Sequence, residues 1–136
     1  MELHYAVTKG DFAGAGAAAS GVKKTLKKLG VPAEIIKKIA IAMYEAEINM
    51  VIHADGGLID VYVMPEKIHI VLSDTGPGIP DIDQAMREGF STATEEVRNM
   101  GFGAGMGLPN MKKNSDFIKI SSEVGVGTTV ELEVYL

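Results

Sequence analysis

Apolar and polar residues change period along this chain, and each change marks an element. Leu3, Tyr5 and Val7 alternate with polar neighbours over Glu2 to Thr8, the two-residue period of a half-buried strand. The alanine-rich stretch that follows predicts a helix, with Asp11 as its N-cap and an end near Gly30. Pro32 opens a second helix, which runs to about His53 and stops at Gly56-Gly57. Leu58 to Met64 and Lys67 to Ser73 read as a hairpin-like strand pair about Pro65-Glu66, with Ile59, Val61 and Val63 on one buried face. Thr75 to Gly105 sustains no apolar period, which predicts a long functional loop with a short helix near Ile82 to Glu88. Met106 to Lys113 is helical, and strands at Asp116 to Glu123 and Gly127 to Tyr135 turn at Val124-Gly125-Val126. This order predicts an α+β fold: a two-layer sandwich of one mixed, largely antiparallel sheet with helices on one face. No repeat or second domain interrupts it, so residues 1–136 are expected to form a single domain.

Composition narrows the function. With 46% hydrophobic and 23% charged residues, the chain has the balance of a soluble globular protein. It contains no cysteine, which excludes disulfides, zinc–cysteine sites and thiol nucleophiles and fits a cytoplasmic location. The longest strongly apolar run, Ile39 to Tyr44, is far too short to span a bilayer, and no charged-then-apolar leader opens the chain. A net charge of -5 argues against nucleic-acid binding, which needs a basic surface. A nucleotide stays compatible, because a few amides and a metal offset its charge. Lys23, Lys24, Lys27 and Lys28 form a basic stripe on the first helix, read first as a solvated face and second as a docking surface for an acidic partner.

Three short segments carry candidate chemistry. On the second helix Glu45 and Asn49 stand four residues apart and so share a face with Lys38, Ile41 and Ile52. Glu47 lies about 200° round the helix, with Ile36, Met43 and Met50. A carboxylate can polarise a hydroxyl or water, and an amide oxygen is a hard ligand suited to a Mg²⁺ ion that carries phosphates. An exposed Glu–Asn pair is the plainer alternative. Apolar residues on nearly every side oppose it: the helix is expected to be buried, which leaves Glu47 without an explanation. Asp74 ends an apolar strand and begins Asp74-Thr75-Gly76-Pro77-Gly78. A strand-end carboxylate can accept from an exocyclic amine, and the alternative is an ordinary turn with Asp at its start. Gly101, Gly103, Gly105 and Gly107 occupy alternate positions directly before a helix, an arrangement that lets backbone amides approach phosphate, against the alternative of a linker. Gly16-Ala17-Ala18-Ala19-Ser20-Gly21 has the opening spacing of a P-loop, but Val22 stands where its lysine belongs, so close helix packing explains it better. His4, His53 and His69 share no metal-ligand spacing and read as structural.

In this order the motifs resemble the GHKL (Bergerat-fold, histidine-kinase-ATPase-like) superfamily, whose members include the gyrase, heat-shock-protein-90, histidine-kinase and mismatch-repair ATP sites. The short length, Gly76-Pro77-Gly78-Ile79-Pro80-Asp81 and Gly89-Phe90-Ser91-Thr92 are similar to the bacterial anti-sigma and switch serine/threonine kinases. The resemblance implies Glu45 as general base and Asn49 as magnesium ligand. It implies Asp74, Gly76, Gly78 and Ile79 about the adenine with Thr128 behind it, and Gly103, Ala104, Gly105, Met106, Gly107 and Leu108 about the phosphates. It implies ATP and Mg²⁺ as cofactors and a nucleotide lid over about 82–105, lengthened here at Ala93 to Met100, with charged Glu95, Glu96 and Arg98. Glu47 stands where such kinases carry an uncharged residue. The implied activity is phosphorylation of Ser or Thr on a partner regulatory protein resembling an anti-anti-sigma factor, with a sigma factor as another candidate partner and a homodimer allowed. A nucleotide-gated binding module with little turnover and a histidine-kinase-like catalytic domain acting in trans are the other readings.

Overall fold

The computed structural model describes residues 1–10, 14–53, 56–76, 78 and 107–136. The elements run β1 (Glu2–Val7), α1 (Ala17–Lys28), α2 (Ala33–His53), β2 (Gly57–Val63), β3 (Lys67–Asp74), α3 (Gly107–Lys113), β4 (Phe117–Glu123) and β5 (Gly127–Tyr135). The short helix expected near Ile82 to Glu88 and the lid expected at about 82–105 lie outside the described residues.

The strands form one five-stranded sheet in the order β1-β2-β3-β5-β4, and every neighbouring pair is antiparallel. Register puts Ile70 opposite Val61 and Leu132, and Leu72 opposite Ile59 and Val130. Side chains alternate across a strand, so these rows share a face. That face is buried against Val22 and Leu26 of α1, Ile39 and Met43 of α2, and Met111 of α3, in one hydrophobic cluster. The opposite rows are polar: His4 pairs with Asp60, and Glu133 receives both Lys67 and His69.

Local chemistry sets the helix ends. α1 closes with Gly30 at φ 77°, where Gly30 N–H donates to Lys27 O and Val31 N–H to Leu26 O, a Schellman ending that places Val31 against the core. Pro32 O accepts from the N–H groups of Ile35 and Ile36 and so starts α2. The start of α1 departs from expectation. The helix begins at Ala17, not shortly after Asp11, which lies outside the described residues. Gly16 holds the N-cap position with φ 92° and offers no side chain. Among the described residues no helix is long and apolar enough to cross a membrane.

Candidate functional site

α2 is apolar round most of its circumference because α1, α3 and the sheet all pack on it. Its inward polar side chains therefore need partners, and Glu45 and Glu47 each find one suited to its direction. Glu47 is only 2% exposed, and its carboxylate accepts three backbone N–H groups from the start of α1. Gly16 N–H donates to Oε2 at 2.9 Å, Ala18 N–H to Oε2 at 3.3 Å, and Ala19 N–H to Oε1 at 2.6 Å. A helix start leaves its first N–H groups unpaired and carries a partial positive charge, so a carboxylate satisfies both at once. Glu47 is thus the cap that α1 lacks in its own sequence. One signal pointed to it: a charge on an apolar helix face.

The same contact settles the Gly16–Gly21 run. That helix start binds an anion, but the anion is the chain's own. A Cβ on Gly16 would stand 3.0 Å from the Tyr44 ring, and one on Gly21 would stand 2.8 Å from the Tyr5 hydroxyl, so both glycines serve close packing.

Glu45 points away from α1. It is half-buried, and its Oε1 accepts from Asn110 Nδ2 on α3 at 3.1 Å. Asn49 is half-buried one turn further along. The sequence offered no sign of Asn110, because only the docking of α3 on α2 brings positions 110 and 45 together.

Asp74 closes β3 and is tied to β5, where Thr128 N–H donates to Asp74 Oδ1 at 3.0 Å. Thr128 is buried, and its hydroxyl shares a hydrogen bond of 2.8 Å with Ser122. Gly76 N–H donates to Val126 O at 3.2 Å, binding the chain after Asp74 to the β4–β5 turn. Glycine is required around this junction. A Cβ on Gly127, whose φ is 154°, would fall 2.1 Å from Asp74 O, and one on Gly78, at φ 76°, would fall 2.5 Å from Glu123 O. Asp74 is therefore more than the first residue of a turn. A Cβ on Gly57 would lie 3.0 Å from Met50 Sδ and 3.2 Å from Asp74 Cα, so the later turns of α2 approach the end of β3 through this glycine.

The structure thus ties Asp74, Gly76 and Gly78, at and just after the end of β3, to Thr128 and the β4–β5 turn, and ties Glu45 to the start of α3. Gly107 opens that helix, and Leu108 is buried beneath it. Ile79, Gly103, Ala104, Gly105 and Met106 lie outside the described residues. Among the described residues no group of three or more His, Cys, Asp or Glu side chains is arranged to hold a metal. A Mg²⁺ ion on Asn49 would have to draw its other ligands from phosphate and water, as this ion commonly does. The residue types suit a nucleotide: a tethered carboxylate with a buried hydroxyl beside it, and an amide and a carboxylate on one helical face.

Residues 34–136 match the family described as histidine kinase-, DNA gyrase B-, and HSP90-like ATPase. The chain is 35% identical over 108 residues to the anti-sigma F factor of Caldanaerobacter subterraneus subsp. tengcongensis, covering 76% of this chain and 72% of that protein. It is 31% identical over 113 residues to the serine/threonine-protein kinase RsbT of Bacillus subtilis, covering 80% and 79%. Among solved structures, it resembles the RsbU and RsbW domains of a Mycobacterium tuberculosis protein, with a TM-score of 0.65 at 16% identity; 98% of this chain aligns with 32% of that longer one. It also resembles the mycobacterial sensor histidine kinase MprB, with a TM-score of 0.57 at 15% identity, covering 98% and 97%. At such identities these two likenesses speak for the fold alone.

Proposed function

The chain belongs to the histidine kinase-, DNA gyrase B-, and HSP90-like ATPase family, and from that premise we propose that it is a cytoplasmic, ATP-Mg²⁺-dependent serine/threonine protein kinase acting on a partner regulatory protein. The observation that carries the proposal is the division of labour on α2. Glu47 is consumed in capping α1, which leaves Glu45 and Asn49 together on another side, near α3.

Each residue then has a role its chemistry permits. Asp74, held by Thr128 N–H, accepts from the exocyclic amine of adenine, and Gly78 lets the chain that follows β3 pack against Glu123 in the β4–β5 turn. Asn49 offers its amide oxygen to Mg²⁺. The glycines from 103 to 107 offer backbone N–H groups to phosphate oxygens. Bound MgATP supplies the transferable phosphoryl group. Glu45 orients the acceptor hydroxyl and takes its proton. Phosphoryl transfer asks little covalent chemistry of a protein, so positioning and charge neutralisation carry the rate.

Incubation of the chain with γ-labelled ATP, Mg²⁺ and the products of neighbouring genes tests this. The expected result is an acid-stable label on Ser or Thr of one partner, lost in Glu45→Gln while nucleotide affinity stays within about threefold, because a base acts on the acceptor. Label that persists in Glu45→Gln would remove Glu45 from the chemistry. The names of the anti-sigma F factor relatives favour a second reading, a nucleotide-gated module that sequesters its partner with little turnover. ATP-dependent co-purification without label selects that one.

A further inference from the structure

The N–H donor that meets Glu45 comes from a residue no motif contains. Asn110 lies in the first turn of α3, and its Nδ2 donates to Glu45 Oε1 at 3.1 Å. Its backbone carbonyl is engaged separately, by Asn114 N–H at 3.1 Å and Asn114 Nδ2 at 2.8 Å. Changing the Asn110 side chain therefore leaves the hydrogen bonds of its helix in place. Leu108 and Met111 are buried on the same short helix, which fixes how α3 is turned and from which direction Asn110 reaches α2. Opposite, the three bonds to Glu47 hold α2 to the start of α1. Glu45 thus stands on a helix held from both flanks.

We propose that Asn110 is the positioning residue for Glu45: its amide N–H holds one carboxylate oxygen so that the other faces the acceptor hydroxyl. The assignment rests on Glu45 acting as the base. The chemistry suits the task. A free glutamate samples several rotamers, and holding it in one removes an entropic cost from the reactive state. An amide does so without the formal positive charge of a lysine, which would stabilise the carboxylate and make it a weaker base. Because α3 begins at the last glycine of the run, the element that follows the phosphate segment also aims the base.

The test uses the full chain and three variants, Asn110→Leu, Asn110→Ala and Asn110→Leu combined with Glu45→Gln. Turnover of γ-labelled MgATP is followed with the acceptor protein found by labelling, and with water as acceptor. In Asn110→Leu and Asn110→Ala, kcat should fall roughly 10- to 100-fold, since misplacement of a reacting group by about 1 Å costs on that order. KM for ATP and the melting temperature should stay close to wild type, a split that a merely structural role would not give. The combined variant should be no slower than Glu45→Gln alone, because both changes act through one carboxylate. An independent measurement needs no turnover: the Asn110 side-chain amide resonances of ¹⁵N-labelled protein should move in Glu45→Gln. Resonances indifferent to Glu45→Gln, or an active wild type whose Asn110→Leu and Asn110→Ala variants keep kcat within twofold, would overturn the positioning role alone. A wild type that turns over no ATP overturns the kinase function, and the positioning role with it.

Discussion

Glu47 sits at a depth where an unpaired carboxylate would be costly, and its three backbone donors make the burial tolerable. The carboxylate and the α1 start are each other's solution, so removing one strands the other. We expect Glu47→Ala to lose about 3 kcal/mol of stability, because buried N–H groups left unpaired cost on the order of 1–3 kcal/mol each and some regain water. Glu47→Gln keeps the shape and should lose less, since its amide can still accept but not at both ends. Urea unfolding of the two variants checks the order, and an Ala variant as stable as wild type would show that the bonds contribute nothing. At this scale the sequence was half legible. The period of α2 separates Glu45 from Glu47 correctly, as their different partners show. The partners themselves stayed hidden, because nothing local specifies which backbone a buried carboxylate will find 28 to 31 positions away.

Between elements, the junction of β3 with β5 sets where Asp74 points. Gly127 stands so close to the Asp74 carbonyl that no side chain fits without moving one strand end. Gly127→Ala should therefore displace Asp74 and weaken ATP binding at least tenfold by calorimetry, similar to Asp74→Asn, where loss of a charge-assisted hydrogen bond costs about 1.5–3 kcal/mol. Unchanged affinity in both variants would take Asp74 out of the adenine contact. The element order was readable because the apolar period switches cleanly between two and 3.6 residues, and both hairpins carry turn residues at their tips. The start of α1 was misplaced for a physical reason. Helix-start rules look for a nearby Ser, Thr, Asp or Asn, and here the cap comes from another helix.

Across the whole molecule, one face of the sheet is packed under helices while the other carries titrating pairs. His4 is hydrogen-bonded to Asp60, which holds its pKa above the ordinary 6.5, and Glu2 lies on its other side. A raised histidine contributes stability that is complete below about pH 6.5 and fades as pH climbs through the folded value. Glu133 is shifted the opposite way, chiefly by its hydrogen bond with Lys67, so its contribution is present above its ordinary 4.5 and lost as pH falls through the lowered value. The urea midpoint should therefore decline slightly from pH 6 to 8 in the wild type, and Asp60→Asn should flatten that slope while leaving the acid limb alone. An identical slope in Asp60→Asn would show that the pair does not influence stability. The cap on α1 has a further consequence in time. A ribosome releases residues 17–28 well before residue 47, and a twelve-residue helix whose start has no side-chain cap of its own is marginal in water. Although α1 is synthesised before α2, it is therefore the later of the two to settle: α1 becomes secure only once the middle of α2 has emerged and laid Glu47 across its start, so the nascent chain acquires this pair of helices from α2 outward.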